Sequence, residues 1–370
     1  SRMAATGRRD AGSKERRARR LVHYAPKIGC PALAHHSTIH SIPKANPIMA
    51  PPRQTRSQKL LNAVADFPHI AVITHDNPDP DAVSAGWAIC RLIRKTLNRE
   101  PKLIGGGDIL RAENRHMMNL LGPPIELMQR FQPKKKTAAI LVDCGLQVAG
   151  HLLSSPNVKT IAVIDHHLTG SKPDIPFVDI RPQMAASATM TSGYLREQQI
   201  EPGERLATAL LYAIRTETCG NEFRHTREDR SVILWLTRFA NPEWLSAIEN
   251  APLTRNYFAD MVLALQNTFL YDDAAFCLLP RAEGQEIVGE VADLLIRCDC
   301  VKRVFCGAMI ADDLLCSVRT EEDHDSAAAL VSALFPNTSP KKALAAAPTA
   351  KDSEKLAGPV RSRYPCLQKQ

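Results

Sequence analysis

Residues 69–81 read HIAVITHDNPDPD, and this stretch decides the expected fold. Its first seven residues form a short run rich in apolar, β-branched side chains, which predicts a buried strand. Three polar side chains stand at the end of this run and just after it: His75, Asp79 and Asp81. Since ligands of open parallel sheets bind beyond the carboxyl ends of the strands, we expect these side chains to line a site there.

Two later apolar runs end in the same kinds of residue. Residues 138–144 read AAILVDC and predict a strand that ends near Asp143. Residues 160–167 read TIAVIDHH and predict a strand that is followed by an acid and two histidines: Asp165, His166 and His167. Three strand ends that carry carboxylates and imidazoles are therefore expected to converge on one crevice.

The surrounding pattern indicates an α/β fold with two domains. From residue 59 onward, apolar runs alternate with amphipathic helical stretches, as in a parallel sheet with helices on both faces. Residues 59–271 are expected to form this larger N-terminal domain. A smaller α/β domain is expected over 272–336, with a helix near 285–297 and a hairpin formed by 301–310 and 313–320, and the catalytic cleft should lie between the two domains.

Both ends of the chain are basic. The net charge is +8, yet residues 1–58 hold twelve Lys or Arg against two acids, and residues 341–370 hold seven against two. The middle of the chain is therefore acidic, as expected for a site that gathers carboxylates around cations. Residues 1–58 are predicted to be a disordered basic extension, with Met49 as a candidate start, and residues 337–370 to be a loose tail.

The predicted cluster of acids requires positive charge. Several carboxylates buried together in one cleft are severely unfavourable unless cations compensate them. Oxygen and imidazole ligands without cysteine suit manganese, magnesium or iron better than a structural zinc site. Two such ions could share one carboxylate and polarise a phosphoryl group from both sides.

The motifs resemble those of a known family. THDNPDPDA, VDCG and IDHH are similar to the first three signature motifs of the DHH phosphoesterase superfamily. The resemblance covers roughly residues 59–335. Within the superfamily, the second domain resembles the DHH-associated domain of the oligoribonuclease (nanoRNase) and phosphoadenosine-phosphate phosphatase branch.

The resemblance also implies roles for the site residues. It implies two divalent ions, manganese in the first place and magnesium as the alternative. One ion would be held by His75, Asp79 and Asp143, and the other by Asp81, Asp143 and His166. Asp143 would bridge the ions, and His167 would contact the phosphate or the leaving oxygen as a hydrogen-bond donor or general acid. Asp165 would orient the histidines.

Two further residues are implied, and one expected segment is missing. Glu217 occupies the place where a fourth family motif usually has Asp, so it is expected to bind the second metal. Arg319, in SVRT, resembles the arginine that grips the substrate phosphate. The family's Gly-rich segment ending in His is absent, because residues 336–370 hold one glycine, Gly358, and no histidine.

Together these features predict a cytoplasmic metal-dependent hydrolase of short oligonucleotides or nucleotides. The expected substrates are nanoRNA, phosphoadenosine phosphate or the products of cyclic dinucleotides, and the action would be that of an exonuclease or oligoribonuclease. The chain is expected to bind no membrane, since no apolar run approaches the roughly 18 to 20 residues of a spanning helix, and it could form a homodimer. Two alternatives stay open: a DHH-type inorganic pyrophosphatase, and a non-catalytic nucleotide-binding regulator.

Overall fold

A computed structural model describes most of the chain from residue 54 to residue 321. The described residues are 54–109, 111–146, 151–153, 158–167, 173–218, 225–280, 282, 286–310, 313–321, 327, 330–331 and 354–357. They belong to one compact unit, residues 53–370. The first 53 residues of the predicted basic extension, most of the predicted last helix and most of the predicted tail lie outside the described residues.

Six parallel strands form the first sheet, in the order β3-β2-β1-β4-β5-β6. They are β1 (His69–Ile73), β2 (Lys102–Gly105), β3 (Ile125–Leu127), β4 (Thr137–Val142), β5 (Val158–Asp165) and β6 (Phe177–Ile180). The strand order changes direction between β1 and β4, which pair in parallel at the centre of the sheet. In α/β sheets such a switch point opens a crevice beyond the strand ends, and here that crevice receives the ends of β1 and β4.

Eight helices are described before the second sheet. They are α1 (Arg56–Val64), α2 (Pro80–Leu97), α3 (Ala112–Leu121), α4 (Ser187–Glu197), α5 (Glu204–Thr218), α6 (Arg227–Leu236), α7 (Pro242–Glu249) and α8 (Arg255–Gln266). Alternate residues of the strands belong to two cores, one on each face of the sheet. The larger core includes the apolar faces of α2, α4 and α5, with fully buried residues such as Leu92 and Leu210.

The second lobe contains a five-stranded sheet, in the order β11-β10-β9-β8-β7, and, among its described elements, the helix α9. Its elements are β7 (Thr268–Tyr271), β8 (Ala274–Leu279), α9 (Glu286–Leu295), β9 (Arg303–Ile310), β10 (Asp313–Thr320) and β11 (Glu354–Ala357). A separate core of α9 and sheet residues holds this lobe together, and Ala264 of α8 joins it. The second sheet thus begins at Thr268, four residues before the expected boundary.

The structure confirms the α/β fold and most predicted elements, including the antiparallel hairpin of β9 and β10. Two predictions at the ends of the chain were wrong in part. Helix α1 begins at Arg56, inside the expected disordered extension, because the Thr55 side chain accepts a hydrogen bond from the amide of Gln58 and caps it. The expected loose tail contributes β11, which pairs with β10.

The short elements β3, β6 and β7 were not predicted. Three or four residues are too few for a hydrophobic period to show in a sequence. No helix in the described part of the chain has the length and the apolar content that crossing a bilayer requires.

The difference in burial between Leu92 and Leu234 predicts that their replacement by alanine changes the free energy of unfolding by very different amounts. We expect Leu92→Ala to lower the free energy of unfolding by about 2 to 5 kcal/mol, because Leu92 is fully buried in α2 and its truncation leaves a cavity. The control Leu234→Ala, at a side chain that is 72% exposed in α6, should change it by no more than about 0.5 kcal/mol. Urea denaturation measures both, and equal losses would contradict the described core.

Candidate metal centre

The end of β1 supplies a histidine with a fixed tautomer. The Nδ1 of His75 lies 2.9 Å from the carbonyl oxygen of Asp76. Since a carbonyl only accepts hydrogen bonds, Nδ1 carries a proton and Nε2 faces the carboxylates. This Nε2 lies 3.5 Å from Oδ2 of Asp143 and 3.8 Å from Oδ2 of Asp79. Burial lowers the pKa of His75, but Asp143 and Asp79 raise it well above its usual value, so a metal ion at this position would take the place of the proton on Nε2.

Asp79 has two roles in the structure. Its Oδ1 accepts a hydrogen bond from the amide of Ala82 at 2.9 Å and caps α2, which then begins with Pro80. Its Oδ2 faces His75. Burial raises the pKa of Asp79, but the neighbouring His75 outweighs this and the net shift is downward. Because Oδ1 of Asp79 caps the helix, the charged Oδ2 is oriented toward His75.

Asp143 lies at the centre of the cluster. It follows β4 with φ at +60°, a left-handed conformation that Asp adopts more readily than most residues and that is common at functional sites. Its side chain is almost completely buried, and its Oδ1 accepts a hydrogen bond from the Ser187 hydroxyl at 3.0 Å. Burial raises its pKa, but His75, His167 and His166 outweigh burial and the pKa is well below the usual range.

The end of β5 supplies His166 in the same manner as β1 supplies His75. The His166 Nδ1 lies 3.3 Å from the carbonyl oxygen of Met184, which leaves Nε2 to face the carboxylates. This Nε2 lies 3.6 Å from Oδ2 of Asp81 and 3.5 Å from Oδ1 of Asp143. Burial lowers the pKa of His166, as does the neighbouring His167. A neutral imidazole is the form that binds a metal ion.

The N-terminus of α4 holds Asp81. Both of its oxygens accept amide hydrogen bonds, from Ser187 at 2.8 Å and from Ala188 at 2.7 Å. Amides at a helix N-terminus stabilise negative charge. Even so, burial and the nearby Asp143 raise the pKa of Asp81 well above its usual value. A cation beside Asp81 would offset this cost.

His167 differs from the other two histidines. Its Nδ1 lies 2.8 Å from Oδ1 of Asp165, which also accepts the His167 amide. Burial lowers the pKa of His167, but the Asp165 hydrogen bond and the Asp143 charge together raise it to about 10. With 31% of its side chain exposed, it is more accessible than His75 or His166. It is thus a protonated imidazole with its Nε2 available to another group.

Glu217 lies near the cluster at the C-terminal end of α5. Burial raises its pKa well above the usual value, and the charges of Asp79 and Asp143 raise it further. Among the described residues, three groups have ligand atoms within 4.8 Å of one another, and the exposed group Cys298, Asp299 and Cys300 lies outside this cluster. The two groups within the cluster are His75, Asp79 and Asp143, and Asp143, His166 and His167. Asp143 belongs to both groups, as expected for a shared ligand.

The donor atoms fit divalent cations. The distances of 3.5 to 3.8 Å between imidazole Nε2 atoms and carboxylate oxygens are too long for hydrogen bonds. They suit atoms that face a common ion about 2 Å from each, and the set of oxygen and imidazole nitrogen favours manganese, magnesium or iron.

Arg319 does not reach this cluster. Its side chain is fully buried, and its Nε lies 2.6 Å from Oδ1 of Asp293 on α9. One Nη donates to the hydroxyl of Ser317 at 2.8 Å. A guanidinium enclosed in this way cannot contact a substrate phosphate in this conformation, so the expected phosphate contact has no support from the geometry.

Sequence reasoning missed Ser187. Its amide supports Asp81 and its hydroxyl supports Asp143, so it connects two expected metal ligands. The only available signal was its place in a run of small residues.

The raised pKa of Glu217 has a consequence for stability. When the pKa of an acid is higher in the folded state than in the unfolded chain, the folded protein loses stability as the pH rises above the pKa of the unfolded chain. We expect Glu217→Gln to stabilise the metal-free protein at pH 7, since the neutral amide replaces a carboxylate that burial and the neighbouring acids disfavour. The gain should vanish below the ordinary glutamate pKa, and added manganese should stabilise the variant less than the wild type.

Thermal unfolding with a chelator, at neutral and acidic pH, measures this effect. The matched control is Glu243→Gln, at an exposed residue of α7. If Glu217→Gln and the wild type have the same melting temperature both with and without metal, the proposed environment of Glu217 is contradicted.

The comparisons with known proteins agree with this geometry. The model of the DHH family, N-terminal domain, matches residues 69–214. An uncharacterized protein of Methanocaldococcus jannaschii is 26% identical over 255 residues, which cover 68% of this chain and 52% of the relative. This chain thus spans about half the length of the curated relative that it matches.

A solved structure shows the same fold. The crystal structure of an exopolyphosphatase-related protein from Bacteroides fragilis aligns with a TM-score of 0.61 at 14% sequence identity, over 76% of this chain and 87% of that chain. The family match includes β1, β4 and β5, the three strands whose ends form the cluster. In residues 69–214, the part of the chain that carries the cluster, the chain is thus similar to the DHH family, N-terminal domain.

Proposed function

We propose that this chain is a divalent-metal-dependent phosphoesterase. The observation that carries the proposal is the position of Asp143, whose carboxylate lies 3.5 Å from the Nε2 atoms of both His75 and His166. Each imidazole is held through its Nδ1 and turns its Nε2 toward the carboxylates. The match of residues 69–214 to the DHH family supports the same activity.

The residues would divide into two ligand sets around a shared carboxylate. The first set is His75, Asp79 and Asp143, and the second is Asp81, Asp143, His166 and Glu217. When bound at such a site, divalent cations polarise phosphoryl oxygens and lower the pKa of water. We propose manganese as the physiological ion, with magnesium as the alternative.

The chain's own residues would complete the chemistry. Asp165 holds His167 in its protonated form, so Nε2 of His167 can donate a proton to the leaving oxygen. Ser187 and the first amides of α4 hold Asp143 and Asp81 in place. Catalysis would therefore depend on side chains whose positions are already fixed before substrate arrives.

We further propose a short nucleotide substrate, such as nanoRNA, phosphoadenosine phosphate or the product of a cyclic dinucleotide. It would be bound between a DHH domain over residues 59–271 and a DHH-associated substrate-binding domain over 272–336. The resemblance to the oligoribonuclease branch supports this assignment, and the same branch leads us to expect exonuclease action and a homodimer. Sedimentation velocity would measure the oligomeric state.

The activity predicts a metal requirement and a substrate preference. We expect the full chain with manganese to hydrolyse the dinucleotide pApA or phosphoadenosine phosphate faster than pyrophosphate, and a chelator to abolish turnover. Asp143→Ala should lower the rate by at least about a hundredfold, because it removes the shared ligand and leaves its partners unpaired. Release of product from each substrate, measured by chromatography, checks these expectations.

The outcomes separate the alternatives. Faster turnover of pyrophosphate would favour an inorganic pyrophosphatase. Nucleotide binding without product release would favour a regulatory protein. Equal rates for wild type and Asp143→Ala would reject the phosphoesterase altogether.

The assigned role of His167 predicts a separation of catalysis from metal binding. We expect His167→Gln to lower kcat by about 10² to 10⁴, as the loss of a general acid does, and to leave the bound manganese unchanged. The control is His69→Gln, at an exposed residue where β1 begins. Rates and metal content are measured on the same preparations, and a loss of metal in His167→Gln would show that His167 is a ligand instead.

A further inference from the structure

A phosphate-binding arginine is missing from the site as described so far. The cluster is rich in carboxylates, and His167 is the protonated side chain assigned to it. Arg319, the arginine expected from sequence, is enclosed in the second lobe. An arginine at the rim of the cluster would supply both positive charge and the planar pair of donors that binds a phosphoryl group.

Arg111 stands at this rim. It is the residue before α3, and it follows the loop that leaves β2. That loop packs on the metal-ligand segment, since the amide of Asn77 donates to the carbonyl of Gly106 at 2.8 Å and the amide of Asp108 donates to Oδ1 of Asn77 at 3.0 Å. Asn77 lies between His75 and Asp79 in the chain, so the loop before Arg111 lies beside the first ligand set.

The other side of Arg111 faces the end of α5. Asn114, one turn into α3, accepts a hydrogen bond from the hydroxyl of Tyr212 at 3.3 Å. Tyr212 lies on α5, five residues before Glu217. Burial and the charge of Asp79 raise the pKa of Glu217, and the positive charge of Arg111 partly offsets this by lowering it. Arg111 is thus close enough to Glu217 for its charge to act on that carboxyl.

The guanidinium of Arg111 is only loosely held. Its Nε lies 3.7 Å from Oε1 of Glu290 and its Nη2 lies 4.0 Å from Oδ2 of Asp293, both on α9 of the second lobe. Charge-assisted hydrogen bonds are about 2.7 to 2.9 Å long, so both contacts are too long to be hydrogen bonds of this kind. Arg319, by contrast, binds the other oxygen of Asp293 at 2.6 Å. With 32% of its side chain exposed, Arg111 can reach a ligand that enters between the lobes.

We propose that Arg111 binds a phosphate group of the substrate, and that Glu290 and Asp293 occupy its guanidinium when no substrate is bound. The inference rests on the proposed phosphoesterase function and names the residue that recognises its substrate. Asp293, held by Arg319, is a positioning residue for Arg111. Both acidic contacts to this guanidinium come from the second lobe, and a phosphate would replace them.

The test measures binding of inorganic phosphate to the full manganese-loaded chain by titration calorimetry. We expect Arg111→Ala to weaken binding about tenfold or more, because it removes a charged hydrogen-bond donor. Arg111→Lys should give a smaller loss, since lysine keeps the charge and loses the paired donors. Arg115→Ala is the matched control, at an exposed arginine one turn further along the same helix, and should bind like the wild type.

A second variant distinguishes phosphate binding from a purely structural contact between the lobes. Glu290→Gln removes a competing acid, so phosphate should bind several-fold more tightly. If the contact served only to hold the lobes together, Glu290→Gln would weaken binding as Arg111→Ala does, and the proposal would fail. Unchanged affinity in Arg111→Ala would also overturn it, as would a wild type that binds no phosphate.

These readouts do not depend on turnover. A chain that binds phosphate through Arg111 but hydrolyses no substrate would reject the proposed phosphoesterase and keep the phosphate site. A chain that hydrolyses nucleotides with unchanged phosphate affinity in Arg111→Ala would keep the enzyme and reject the role of Arg111. The two proposals therefore fail separately.

Discussion

The cost of burying negative charge governs this structure. Asp81 and Asp143 are almost fully excluded from water and lie near each other, and burial raises the pKa of Asp81 well above its usual value. Without compensation, such a group would be unstable. The protein supplies imidazoles, helix amides and a serine hydroxyl, and divalent cations would supply the remaining positive charge.

The parallel sheet explains why these groups meet. Adjacent parallel strands end at the same side of the sheet, and β1, β4 and β5 are neighbours there. Their last residues therefore face one crevice, although they are far apart in the chain. Hydrogen bonds to backbone carbonyls then fix the orientation of His75 and His166, so the site depends on local backbone contacts as well as on the sheet.

The second lobe contributes through charge. Its helix α9 carries Glu290 and Asp293 toward Arg111, while Arg319 stabilises Asp293 from within the lobe. An arginine that belongs to the first lobe is thus paired with acids of the second. If Arg111 binds phosphate as proposed, Arg319 would act on the site without contacting it, because it holds the carboxylate that faces Arg111.

The sequence by itself determined the parallel α/β fold and the residues of the cluster, because apolar runs that end in HDNPDPD, DCG and DHH carry both a strand signal and a ligand signal within a few residues. It could not determine contacts between distant segments. The amides of Ser187 and Ala188 at Asp81, the burial of Arg319 and the position of Arg111 arise only when helices pack on the sheet and the lobes meet. Burial is a property of the folded chain, so only the tertiary structure decided which arginine remains accessible.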